Sequence, residues 1–390
     1  MTTFDTIVIG GGIAGLLTAL RLARGGQAVA LVEADQLGSG ATTANHGMVH
    51  SGALYVRQHG HVVQLCQQAH AAFSALVADA ELSTEPTVYI VPTPDAPDFL
   101  ARLDWHGIGY RVTDANQVPE LDPTVRGTHR LATIDERVFS SRRIVAILAG
   151  QCLAAGVTVM AGAAVASIAL TAGKVTGVTL ASGHLPARHV VIAAGTGTAR
   201  LLSDLGSRQA DLLRSRLDMM IHLPAARLRR GLIFAELDRP VIMPALGGGA
   251  LTSFFGSVQP RITGRRAFAV DLDKATALLT QTLQALTPDT ATADGAVAYV
   301  AGKTDYVGTA YAENGMINPG YQVIDHEHVE HLQGLYTVIT GKMTLGFHVS
   351  KAVADAILGT DLPLIMRPET APEAPAGLLA VEPWAPPTQL

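Results

Sequence analysis

Four glycines near the start of the chain constrain its fold more than any other feature. Gly10-Gly11-Gly12-Ile13-Ala14-Gly15 follows an apolar run at 5–9 and precedes a segment at 13–25 with apolar residues at helical spacing. In a G-x-G-x-x-G turn the first glycine allows a tight reversal. The second lets backbone approach a pyrophosphate, and the third lets helix and strand pack closely. A second buried strand is expected at 28–33, and it ends in Glu33. An acid at that point accepts hydrogen bonds from ribose hydroxyls, while the helix N-terminus offers free N–H groups to phosphate. Strand, turn, helix, strand and acid together make a βαβ dinucleotide site, with Gly10, Gly12, Ile13, Ala14, Gly15, Glu33 and Ala34 as its expected binding residues.

The rest of the chain reads as alternating elements. A helix is expected at 141–155, with strands at 157–160, 165–170, 177–180 and 189–193. A strand at 335–339 then leads through Gly341 to a helix at 348–358. The stretch 144–173 carries no charge and exceeds the ~20 residues that cross a bilayer, but glycines and polar residues divide it at element-sized intervals. Residues 86–135 and 216–329 differ in character, with Pro, Asp and Thr in the first and strand-like runs at 232–235 and 266–270 in the second. The expected architecture is therefore α/β: a discontinuous Rossmann-like cofactor domain (1–85, 136–215 and 330–365) with an inserted α+β substrate domain (86–135 and 216–329). A Pro-rich tail at 366–390 is expected to be extended or partly disordered.

Charge and cysteine content exclude several classes. A net charge of −5 gives no electrostatic footprint for nucleic acid, and no run of Lys and Arg suggests an anionic membrane surface. Cys66 and Cys152 are too few for a disulfide framework or a four-ligand zinc site, so no metal is expected and a reducing cytoplasm fits. Asp5, with no basic segment before the apolar run, speaks against a secretory signal.

The residues after the second strand identify the dinucleotide. Gly38-Ser39-Gly40-Ala41-Thr42-Thr43-Ala44-Asn45-His46-Gly47-Met48-Val49-His50-Ser51-Gly52-Ala53-Leu54-Tyr55 resembles the flavin-proximal segment of the D-amino acid oxidase superfamily. Within it, the likeness is to FAD-dependent glycerol-3-phosphate and L-2-hydroxyglutarate dehydrogenases, which carry an N-H-G-x-x-H-S-G-x-x-Y signature. Ala193-Ala194-Gly195 resembles the second FAD-contacting motif of that superfamily. The run from Val338 to Thr344, containing Gly341-Lys342-Met343-Thr344, resembles its G-K-x-T element. The resemblance implies FAD as cofactor, held also by Thr42, Thr43, Asn45, His46, Gly47, Val165, Ala194, Gly195, Gly341, Met343, Thr344 and Leu345.

Taking a hydride from a carbinol or an amine also requires loss of an O–H or N–H proton, for which His is well suited. His50 is the candidate base, Lys342 an electrostatic partner and Tyr55 a pocket wall. An alternative role for a His of this segment is covalent attachment of the flavin, as in relatives acting on methylated glycines. The chain departs from the glycerol-3-phosphate dehydrogenases at Leu54, where they have Arg, and at Gly302-Lys303-Thr304-Asp305, where they have G-V-R-P. Arg suits a phosphate clamp better than Lys, so Lys303, Arg214 and Arg216 become the candidate replacement cations. The expected reaction is oxidation of a small secondary alcohol, a hydroxy acid or polyol derivative with or without a phosphate, to a ketone. The electron acceptor, whether oxygen, quinone or protein, stays open. The alternatives are an amine or amino-acid oxidase on the same fold, or a non-catalytic FAD-binding protein.

Overall fold

The computed structural model describes residues 3–57, 59–236, 238–254, 269–307 and 320–385. Its first sheet is built around the strand Phe4–Ile9, whose residues 6–9 are buried on both faces, as expected of a central parallel strand. This strand lies between Gly183–Ile192 on one side and Val29–Val32 on the other, both parallel, with Ile9 opposite Ile192 and Val32. Thr158–Met160 extends the sheet beyond Val29–Val32, and Leu335–Ile339 pairs in parallel with Gly183–Ile192. The antiparallel strand Gln322–Asp325 closes that edge. Strands Val165–Thr171 and Lys174–Leu180 form a meander branching from Gly183–Ile192.

Three helices cover one face. In Ile13–Arg24 the residues Ile13, Leu16, Leu17 and Leu20 recur at helical spacing and are buried. They meet Val145 and Leu148 of Ser141–Ala154 and Phe347 and Val353 of Gly346–Leu358 in one core. Ser140 starts the second of these helices by accepting a hydrogen bond from the Arg143 N–H on its side-chain oxygen. At the start of the third, a Cβ on Gly346 would fall 2.8 Å from a Leu17 methyl, so the two helices cross in close contact there.

The second sheet gathers strands from distant parts of the chain. Its order is Val297–Tyr306, Leu213–Leu223, Ala250–Ser253, Val241–Pro244, Leu232–Phe234, Thr87–Pro92, His129–Ile134 and Tyr110–Thr113. One pair, Leu232–Phe234 with Thr87–Pro92, is parallel and stitches the two inserted segments into one sheet. The sheet boundaries depart slightly from the sequence expectation. The long strand begins at Leu213, ahead of the expected segment boundary at 216, and Gln322–Asp325, inside that segment, belongs to the first sheet because it pairs with Leu335–Ile339. Residues 266–268 of the strand-like run at 266–270 lie outside the described residues.

The described part of the tail past Pro363, to residue 385, is largely extended, as its composition suggests, but it is packed down. The buried Arg21 guanidinium donates to the carbonyls of Pro363 (2.6 Å) and Leu364 (2.9 Å). Leu379 forms a bridge to Leu37, and Arg142 donates to the Ala380 carbonyl. Trp384 stacks on His222 and lies against Tyr299 in the second sheet. The charge-free stretch 144–173 becomes the helix Ser141–Ala154 and two strands. No helix of the described residues is long and apolar enough to cross a membrane.

Candidate active site

At the C-terminal ends of the parallel strands the glycine turn opens into a cleft of about 1550 Å³ between the two sheets. Gly10 adopts φ +113°, and a Cβ there would fall 2.4 Å from the Ala193 carbonyl oxygen. At Gly15 a Cβ would fall 1.8 Å from the Gly10 carbonyl oxygen, so helix and strand sit as close as backbone allows. Glu33 accepts hydrogen bonds from the N–H groups of Gly11 (2.6 Å) and Asp35 (3.0 Å), which fixes its carboxylate beside the turn.

The structure brings most of the expected cofactor residues to this cleft. Gly10, Gly12, Ile13, Ala14, Glu33 and Ala34 line one part of it, with Thr42, Thr43, Asn45 and His46 beside them. Val165, Ala194, Gly195, Gly341 and Met343 line it too. Thr42 Oγ1 accepts from the Ile13 N–H, tying the 38–55 segment to the helix start. Asn45 Oδ1 accepts from the Gly47 N–H and the Ser141 hydroxyl, so the Asn45 side chain latches that segment to a helix. Four expected residues stay off the lining. Gly15 packs against the strand, as its motif role requires, and Gly47 lies against the Phe139 carbonyl. Thr344 is wholly buried, and Leu345 points into a core cluster with Tyr55, Val63 and Cys66. The turn before Gly346–Leu358 is closed internally, since the N–H groups of Leu345 and Gly346 donate to the Lys342 and Met343 carbonyls.

His50, Lys342 and Tyr55 converge in the same cleft. The Lys342 ammonium donates to the Tyr55 hydroxyl at 2.6 Å and lies 3.8 Å from the centre of its ring, joining residues 287 positions apart. The His50 and Tyr55 rings are 5.3 Å apart. Burial lowers the His50 imidazole well below its usual value, with Lys342 the next cause, which favours the neutral ring; its buried Nδ1 has no hydrogen-bond partner among the described residues. Burial also brings His46 down to about 4. The Lys342 amine is pulled down to about 7 by burial, with Lys303 and Arg216 adding to the shift against Cys66 and Asp305. Burial raises the Tyr55 phenol.

The candidate replacement cations are differently placed. Arg216 pairs with Asp218 and Asp305, both at 2.7 Å, and Lys303 pairs with Asp218 at 2.5 Å. Burial pushes the Asp218 carboxyl up, but Lys303 and Arg216 outweigh it and hold the group ionised. Two cations and two anions thus neutralise one another on the roof of the cleft. Arg214 also lines the cleft and forms no ion pair among the described residues.

Sequence reasoning missed Asp218, Asp305 and Glu136. The first two were findable only from strand register, which sets Arg216 opposite Lys303 and Arg214 opposite Asp305. Glu136 sits within the charged run Asp135-Glu136-Arg137 and reads as surface.

A family model described as FAD dependent oxidoreductase matches residues 5–356. The chain belongs to this family of FAD-dependent oxidoreductases. A probable FAD-dependent oxidoreductase of Pseudomonas aeruginosa is 28% identical over 277 residues, 66% of this chain and 63% of that protein. One subunit of the anaerobic glycerol-3-phosphate dehydrogenase of Escherichia coli is 29% identical over 124 residues, 31% of this chain and 23% of the relative. The chain therefore spans under two thirds of the length of either curated relative. Among solved structures, the glycine oxidase of Bacillus cereus superposes with a TM-score of 0.73 at 19% identity, covering 92% of this chain and 95% of that one. The L-proline dehydrogenase of P. horikoshii gives 0.69 at 14% identity, covering 93% and 96%. The fold is that of these flavoenzymes, with a Rossmann-like FAD-binding domain.

The residues present fit that cofactor. Glycine backbone in near contact with strand and helix, an acid fixed beside the turn, and buried ring nitrogens without partners at His46 and His50 are what a dinucleotide-sized polar ligand would meet.

Proposed function

We propose that this protein oxidises a small secondary alcohol, a hydroxy acid or polyol derivative, to the ketone. The observation that carries the reading is the meeting of His50, whose buried Nδ1 has no hydrogen-bond partner among the described residues, with the Lys342–Tyr55 pair in the cleft that holds the glycine turn. FAD, when bound, supplies the acceptor for the hydride. His50 takes the hydroxyl proton, as a neutral imidazole in reach of a carbinol can. The C–H bond breaks with both electrons leaving as hydride, and the C–O bond becomes a carbonyl. Lys342, held by Tyr55, faces the anionic group of the substrate as a compact charge.

The N-H-G-x-x-H-S-G segment and Gly341-Lys342 support a hydroxy substrate over an amine, since both resemble the hydroxy-acting dehydrogenases. Gly10, Gly12, Glu33, Thr42, Ala194 and Gly195 are proposed to hold FAD. Segments 86–135 and 216–329 are proposed as the substrate domain, because their strands other than Gln322–Asp325 build the sheet facing the cofactor side of the cleft.

The test is anaerobic bleaching of the flavin by hydroxy acids, polyol phosphates and amino acids, in wild type and His50→Ala. Bleaching by hydroxy compounds, slowed about 100-fold in the variant with FAD retained, is the expected result. Bleaching by amines alone would assign an amine oxidase instead, and an unchanged rate in His50→Ala would remove His50 as base.

A further inference from the structure

Directly behind the His50 segment lies a buried carboxylate. Glu136 is fully buried and forms no ion pair among the described residues. Its Oε1 accepts from the N–H (2.5 Å) and the hydroxyl (2.7 Å) of Ser51, and its Oε2 accepts from the Tyr89 hydroxyl at 2.7 Å. Around it, Met48–Val49 pairs with Arg137–Val138, Met48 opposite Val138, so the chain carrying Glu136 runs alongside the one carrying His50. The Glu136 backbone is fixed independently, because its carbonyl accepts from both the N–H and the hydroxyl of Thr87 at the start of a strand of the second sheet.

Burying a carboxylate costs several kcal/mol unless donors replace the lost water; three short bonds offset part of that here, and burial still raises the Glu136 carboxyl above its usual range. Two of the three go to Ser51, the residue bonded to His50. The peptide linking His50 to Ser51 ends at the N–H that Glu136 holds, so Glu136 fixes the plane from which the imidazole projects. His50 has no side-chain bond of its own at Nδ1 to orient it. On the far side, Gly52 runs against Val63 and Cys66, leaving little room for the segment to shift.

We infer that Glu136 is a positioning residue for His50, acting through Ser51 and anchoring the base segment to the second sheet. The inference rests on the assignment of His50 as base. A group that holds a base by hydrogen bonding predicts a particular set of variant phenotypes. Glu136→Gln retains an oxygen for Ser51 and turns its amide towards Tyr89, whose hydroxyl can accept as well as donate. Glu136→Ala removes both tethers.

The experiment measures anaerobic flavin reduction per bound flavin, and substrate Kd from its saturation, in wild type, His50→Ala, Glu136→Ala, Glu136→Gln and Ser51→Ala. Glu136→Ala is expected to slow reduction at least tenfold with Kd within threefold of wild type, and Glu136→Gln to restore the rate to within threefold. Ser51→Ala, which keeps the N–H tether, is expected to slow reduction about threefold. Should Glu136→Ala not accumulate as a flavoprotein, Ser51→Ala decides, and a wild-type rate there overturns the inference. Wild-type reduction per bound flavin in Glu136→Ala, or an equal loss in Glu136→Gln, also overturns it. A wild-type rate in His50→Ala overturns the base assignment instead, and the inference with it.

Discussion

Raising the pH should discharge Lys342 and weaken the hold of the cleft on an anion, over a range set by the structure. The amine stands near 7 in the ligand-free protein because burial disfavours its charge and Lys303 and Arg216 repel it. At pH 8 about one molecule in ten carries the ammonium, and at pH 9 about one in a hundred. A bound carboxylate beside the amine raises its pKa, so binding takes up a proton anywhere between 7 and the new value. The Kd of a monocarboxylate ligand should therefore stay level from pH 6 to 7 and rise about tenfold per unit above that. Lys342→Met should bind weakly and with no slope over the same range. The assay is titration of the flavin absorbance band with a non-oxidisable monocarboxylate at pH 6, 7, 8 and 9 and constant ionic strength. A wild-type Kd that is flat across these points, or a slope that survives in Lys342→Met, would refute the role given to Lys342.

Three further outcomes follow from the cleft and the segments around it. Glu33→Ala removes the acceptor for the Gly11 N–H and the proposed ribose contact, and should raise the FAD Kd about 10- to 100-fold. Full flavin occupancy at micromolar protein would count against that. Arg21→Met leaves the Pro363 and Leu364 carbonyls without their donor and should cost about 2–4 kcal/mol in urea unfolding, where a loss under ~0.5 kcal/mol would show the bonds to be replaceable. Removal of residues 378–390 deletes the Ala380, Val381 and Pro383 wall of the cleft and should lower flavin occupancy at least tenfold with the far-ultraviolet circular dichroism spectrum retained. Unchanged occupancy would mean that the wall has no part in holding the cofactor.

The cofactor half of the molecule was legible because its signals are local. Glycine spacing, the apolar run before it and Glu33 after the second strand are all set by backbone sterics and helix geometry within one βαβ unit. The helix Gly60–Leu76 carries an equally readable 3.6-residue pattern in Val62, Cys66, Ala69, Phe73 and Leu76, though sequence reasoning passed over it. Other features had no local signal. Lys342 and Tyr55 meet only because the chain returns to the first sheet at Leu335–Ile339. Glu136 looked exposed because its neighbours are charged. Yet Asp135 sits at a bend between two strands, where the Glu136 N–H donates to the Ile134 carbonyl, and it lies 84% exposed while Glu136 is at 0%. In the tail, Pro and Ala make an extended course legible, but not that carbonyls of the described part serve as acceptors for Arg21 and Arg142.

The order of strands in the first sheet has a consequence for biosynthesis. Its central strand has one parallel neighbour close by in sequence, Val29–Val32, but the other is made only with Gly183–Ile192, and Leu335–Ile339 joins beyond that strand afterwards. The wall at 380–383 follows later still. On a ribosome the strand before the glycine turn therefore stays half-paired until Gly183–Ile192 is made, after three of the eight strands of the second sheet. Contacts so distant in sequence form slowly, and an unpaired strand edge invites wrong partners. A flavin captured early would find only part of its cleft, so loading of the cofactor belongs at the end of folding and can serve as its final lock.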